Sequence, residues 1–242
     1  LDSESSAQTA NFPIGSQSVR LNNFVQNYNE SNVFNNADTL IAAQSMGGAF
    51  TEINLLFLDG SEVPEGLKIQ KESLETRKNK YSDPVSMSFL DAVSSKHKFT
   101  LKVNNNTILN QPVVLKIDTG ESNSALNLTI EIGRHCEFEL VTQIVGNAPW
   151  FGIIRNGEIG EGSVINDVLV GQMSSGTLLR VDAMNIGRDA QVKSGSISSG
   201  TKRTKADLRY MMAENGSNLR VLGSILSADK MHIDHHLSLI HI

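Results

Sequence analysis

A single cysteine, Cys136, stands among 242 residues, which excludes an internal disulfide and fits the reducing cytoplasm better than a stapled secreted domain. Aromatic residues make up 5% of the chain, with one Trp and three Tyr, so platforms for stacking bases are scarce. Positive charge is not in excess either. The 21 Lys and Arg face 26 Asp and Glu, a net charge of −5, and that argues against non-specific nucleic-acid binding, which needs a basic surface. No apolar run approaches the roughly 20 residues of a membrane helix. The acidic start Leu1-Asp2-Ser3-Glu4 is not followed by the apolar core of a signal peptide. Catalytic motifs are missing as well. Residues 157–162 read Gly-Glu-Ile-Gly-Glu-Gly, without the spacing or the Lys-Ser/Thr ending of a phosphate loop, and neither Gly-x-Ser-x-Gly nor His-Glu-x-x-His occurs.

What remains is a chain with 39% hydrophobic and 19% charged residues, globular in composition and long enough for one large all-β domain or two ordinary domains. The first 36 residues or so are rich in Asn, Ser and Gln and read as a polar lead-in. A short helix is expected around Asp38–Ala43 and a strand over Ile53–Leu58, where Asp59-Gly60 supplies a turn. At Ser82-Asp83-Pro84 the signal sharpens. Asp83 can cap free N–H groups, Pro84 suits the first helical position, and Val85, Phe89, Leu90 and Val93 share a face, so a helix is predicted from Pro84 to Ser95.

From Phe99 onward the texture is that of strands. Phe99–Val103, Val113–Ile117 and Leu126–Ile132 alternate apolar with polar residues. Strand starts then fall near Cys136, Pro149, Ser163, Thr177, Ala190, Thr204, Ser217 and Lys230, at intervals of 13 or 14 residues. Two positions after each start lie Phe138, Phe151, Ile165, Leu179, Val192, Ala206, Leu219 and His232, expected as an inward column. Next come Leu140, Ile153, Asp167, Val181, Ser194, Leu208, Val221 and Asp234, a looser set. A repeated inward column is what stacked coils require, since each unit buries its apolar face only against its neighbours. Two strand-and-turn units, about 27 residues, would make one coil. An antiparallel meander or sandwich is the alternative, but its spacing is usually shorter and its hairpin signals are mostly absent here. The expected organisation is an N-terminal region, partly helical, over residues 1–97, then a β-helix core over 98–236.

Ligand-type side chains are densest at Met231-His232-Ile233-Asp234-His235-His236. In a strand His232, Asp234 and His236 would share one face and His235 the other, and imidazole with carboxylate suits Zn or Fe. The spacing matches no closed metal motif, so a hydrogen-bonded polar ladder competes with a metal site. Cys136 follows His135, and a thiolate beside an imidazole could react or bind metal. Neighbours on a strand point to opposite faces, however, which favours a small buried structural cysteine.

The motifs occur in a telling order. A helix carrying Asp83, Pro84, Phe89, Leu90, Asp91 and Ala92 leads into FTLKVNNNTILNQPVVL at 99–115. A strand–Gly–Cys–strand unit follows over 126–139, then Asp207-Leu-Arg209, Glu214-Asn-Gly216-Ser217-Asn218 and Gly223, and finally His232-Ile-Asp234-His235-His236. This succession resembles the SufB/SufD family, the scaffold proteins of SUF iron–sulfur cluster assembly, and within it the SufD branch. The resemblance implies a right-handed parallel β-helix preceded by a small mixed α/β region, and a scaffold subunit rather than an enzyme. It implies a SufB-like paralogue paired through the β-helix, and a SufC-like ATPase bound through a C-terminal region that this sequence lacks. No firmly held cofactor is implied; iron–sulfur clusters would be handled transiently by the whole complex. The family's cluster-handling Cys and His motifs have no counterpart here, so no cluster-site residue is carried over.

The start at Leu and the stop after the His-rich strand lead us to expect a piece of a longer protein. The last six residues, 237–242, fall out of step with the family and look like translated sequencing-adaptor sequence, a non-native tail. Competing readings are a carbohydrate-active β-helix enzyme and a surface adhesin repeat. Both need an export signal, and the enzyme also needs clustered Asp and Arg on an outer face.

Overall fold

A computed structural model of the chain describes residues 54–57, 65–71, 90–91, 93–94, 98–121, 123–212, 214–228 and 230–241. The expected polar lead-in and the helix at Asp38–Ala43 lie outside these residues. The early strands are β1 (Asn54–Phe57), β2 (Leu67–Lys71), β3 (Lys98–Val103), β4 (Val113–Asp118) and β5 (Ser124–Ile132). Longer ones follow: β6 (Glu137–Gly146), β7 (Trp150–Ile159), β8 (Val164–Met173) and β9 (Thr177–Ile186). The last are β10 (Gln191–Ser198), β11 (Arg203–Met212), β12 (Asn218–Ile225) and β13 (His232–His241). The expected starts fall within two residues of β6–β13.

Successive strands go to alternate sheets. One sheet runs β1-β4-β6-β8-β10-β12, the other β13-β11-β9-β7-β5-β3-β2, so spatial neighbours are next-but-one in sequence from β3 onward. Those ladders are parallel, and Val164 pairs with Gln191, which pairs in turn with Asn218, each 27 residues further on. The chain is therefore a parallel β-helix of about five coils, and the antiparallel alternative is excluded for this region. Antiparallel pairing is confined to one end, where β1 joins β4 and β2 joins β3.

One corner repeats closely. Asn106, His135, Gly162, Asp189 and Gly216 all have positive φ, between 53° and 75°. Each of the first four donates its N–H to the carbonyl just before the equivalent residue of the next coil, for example His135 to Glu161 at 2.9 Å and Gly162 to Arg188 at 2.8 Å. Asn, Asp and Gly are the residues that tolerate this left-handed conformation, and His135 is the bulkiest member of the column. Behind it stands a column of small residues: Thr107, Cys136, Ser163, Ala190 and Ser217. Only a short side chain fits there, because the next strand starts immediately.

Alternate residues fill the lumen. On the N-terminal coils these are apolar: Leu101, Leu115, Ile117, Leu128, Ile130 and Phe138 are all under 5% exposed. The outer face of the seven-stranded sheet is buried too, since Ala125, Ile154, Leu179 and Val181 show at most 1% exposure. Part of the cover comes from the predicted helix, of which Leu90, Asp91 and Val93 are helical and residues 84–89 lie outside the description. Leu90 abuts the Trp150 ring at Gly152, where a Cβ would come within 2.6 Å of Leu90 Cδ2. Asp91 accepts from Lys98 Nζ at 2.9 Å and Asn127 Nδ2 at 3.0 Å, which fixes the helix to the sheet.

The expected inward columns need correction on two strands. On β9, Leu178, Arg180, Asp182 and Met184 face the lumen, while Leu179 and Val181 face out. The ladder with β7 places Arg180 beside Ile153 and Asp182 beside Arg155. On β13, Ile233 and His235 continue the inward residues Thr204 and Ala206, so His232 and Asp234 face out. Side chains alternate with period two, so one residue of error in an interval exchanges the faces of a whole strand. The β11–β13 ladder continues without a break through residues 237–241.

Candidate functional site

The most unusual chemistry lies inside the β-helix. Arg155 on β7 and Arg180 on β9 are the two largest side chains buried below 2% exposure. Both are inward because they sit on the lumen parity of their strands, next to Ile153 and Leu178. Arg155 Nη2 donates to Asp167 Oδ1 of β8 at 2.5 Å, across the lumen. Its Nη1 donates to Asp182 Oδ2 of β9 at 3.2 Å, one coil further along. Arg180 grips the same Asp182 through Nε at 2.9 Å and Nη2 at 2.5 Å, and reaches Ser196 Oγ of β10 at 2.8 Å. Two cations thus meet two carboxylates, and the buried charge sums to zero.

Polar contacts continue along the axis. Ser194 Oγ lies 2.6 Å from Tyr210 Oη, joining β10 to β11. Ser198 Oγ lies 2.9 Å from His235 Nε2, joining β10 to β13. Every one of these cross-lumen bonds ties one sheet to the other.

The electrostatics follow from burial and pairing. Burial by itself would raise the Asp182 pKa, but Arg180 and then Arg155 outweigh it and hold the carboxylate below its ordinary range. Burial likewise opposes a charged Arg155, yet Asp167 and Asp182 leave its pKa raised. Tyr210 is pushed up to about 12, first by burial and then by the Asp182 charge. His235 moves the other way. Burial lowers its pKa and the Arg180 charge adds to that, so the imidazole is held neutral.

Ser198 and His235 stand at the separation of a nucleophile and its base, but the setting does not suit catalysis. Ser198 is 2% exposed. No carboxylate hydrogen bond orients His235, and a base with a depressed pKa beside a guanidinium accepts protons poorly. As built, the network fastens strands together.

The residues singled out from sequence are distributed differently. Cys136 is buried in the small-residue column, its Sγ 3.1 Å from the Asn104 carbonyl. His135 occupies the left-handed corner, its ring packed beside Gly162. The two belong to separate columns, and no His–Cys pair forms. On β13 the facing is the expected one, His235 inward and His232, Asp234 and His236 outward. Asp234 accepts from Lys205 Nζ at 3.2 Å, and His236 Nδ1 lies 3.4 Å from Asp207 Oδ1, which also pairs with Arg209. These contacts form a ladder between β11 and β13. Among the described residues no group of three or more His, Cys, Asp or Glu side chains is placed to hold a metal.

Asp167 was visible in the expected inward column, whereas Arg155, Arg180 and Asp182 carried no motif. A 27-residue self-alignment sets Arg155 opposite Asp182, and that is the one signal that finds them. Among the described residues no helix is long and apolar enough to cross a membrane. Comparison of the chain with protein-family models, with curated proteins and with solved structures found no match.

Proposed function

We propose that the chain is a SufD-like scaffold subunit of a SUF iron–sulfur assembly complex, acting by holding partners rather than by catalysing a reaction. The observation that carries this reading is the form of the last coil. Strands β12 and β13 stand at the margins of their sheets, and β12 is exposed along most of its length. Leu222, Ile225, Leu226, Leu237 and Leu239 are each 45–63% exposed there. Unpaired parallel edges around an open lumen make a surface onto which another β-helix can add strands. The partner in this reading is a SufB-like paralogue seated end to end on that coil, and a SufC-like ATPase joins the complex through its own contacts. The complex handles iron–sulfur clusters as cargo, and its setting is cytoplasmic.

Co-expression tests it. A tagged chain produced with a SufB-like paralogue and a SufC-like ATPase should retain the paralogue in near-equal amount through affinity and size-exclusion steps. A folded chain that retains neither protein refutes the reading.

A further inference from the structure

The lumen changes character along its axis. Near β3–β6 the inward residues include Leu101, Leu115, Leu128, Phe138, Leu140 and Ile144, all buried in one apolar cluster. On the coils formed by β8–β11 the equivalent positions hold Asp167, Arg180, Asp182, Ser194, Ser196 and Ser198, all at most 5% exposed. Arg155 on β7 marks the border, and its Nε has no hydrogen-bond partner among the described residues.

We propose that the coils from β8 onward form a conformational unit that opens separately from the apolar coils before them. Two physical arguments carry this. Resistance to opening comes mainly from apolar surface returned to water, and a lumen of serines and ion pairs returns less of it. Opening also rehydrates the four charges, which recovers desolvation free energy that burial had cost. The second argument concerns cooperativity. Releasing any single pair leaves an uncompensated buried charge, since Arg155 bridges Asp167 and Asp182, and Asp182 also takes Arg180. Releasing all four leaves none. Partial opening inside the unit is therefore disfavoured relative to whole opening, and a boundary at β7 results. The inference concerns the chain alone and does not rest on the SUF reading.

Native-state hydrogen exchange followed by mass spectrometry tests it on the whole chain. Peptides from β9, β10 and β11 should exchange together, at least about tenfold faster than those from β3–β6, with a step at β7. Simple fraying from the exposed last coil would instead give a smooth slope from β13 inward. A slope, or no difference between halves, overturns the proposal. The fourfold variant Arg155→Leu, Asp167→Leu, Arg180→Met, Asp182→Leu should abolish the step, and a step that survives it also overturns the proposal. Should that variant fail to fold, the step or slope of the unaltered chain decides alone.

Discussion

Removing Arg155 is the sharpest perturbation of the lumen. The guanidinium is 1% exposed and binds Asp167 at 2.5 Å and Asp182 at 3.2 Å. In Arg155→Met the volume is roughly kept, but Asp167, 5% exposed, is left without its cation. Deleting one partner of a buried pair costs about 3–5 kcal/mol, because a charge stays desolvated and uncompensated. At about 2–4 °C per kcal/mol for a chain of this size, the melting temperature should drop by roughly 6–20 °C. The double variant Arg155→Met/Asp167→Leu removes both members of one pair and leaves Arg180 with Asp182, a balanced couple. Its stability should return to within about 1–2 kcal/mol of the unaltered chain, or exceed it. Urea titrations followed by circular dichroism, with similar m-values across variants, give the comparison. If Arg155→Met costs under about 1 kcal/mol, or if the double variant is no better than the single one, the coupling argument fails.

Acid should weaken the fold in two separable windows. His235 has a lowered folded pKa, so its contribution is whole above the unfolded value near 6.5 and is lost as pH falls from there towards the folded value. Asp182, also lowered, contributes fully above the unfolded value near 3.9 and loses that contribution as pH falls further. His235→Gln should flatten only the upper window in stability measured against pH, and an unchanged profile would count against the assignment. Cys136→Ser should cost less than about 1 kcal/mol, because Ser163 already fills the same corner position one coil on, and a larger loss in chemical denaturation would contradict the column. Gly157→Ala places a Cβ 1.8 Å from the Ile130 carbonyl oxygen at a φ of 154°, so a loss of at least about 2 kcal/mol or insoluble expression is expected. In size-exclusion chromatography the chain without partners should run as oligomers or aggregates; a sharp monomer peak would speak against the exposed last coil as a pairing surface.

The solenoid was legible in sequence because corner residues and inward apolar residues recur together. Gly160-Glu161-Gly162 and Gly187-Arg188-Asp189 marked turns one coil apart, and Phe138 and Ile165 marked the core between them. The lumen charges were not legible for two reasons. Arg155 and Asp182 are 27 residues apart, so neither looks paired locally. The interval into β9 then shifted the expected parity by one, which put Leu179 and Val181 inside on paper and hid Arg180 and Asp182 on the outer face. Composition also argues the wrong way there, since a buried arginine breaks the rule that charged residues face water.

The column of left-handed corners makes the molecule a ruler. Residues 133–136, 160–163 and 187–190 span that corner with the same length, while the opposite corner varies, from 147–149 to 226–231. One residue added at the fixed corner would turn the following strand inside out, whereas the variable corner can absorb it as loop. Evolution or a designer can therefore lengthen this rod only in whole coils, each adding about 4.8 Å, the spacing of neighbouring strands. A gap between two binding partners could be set in those increments and in no finer ones.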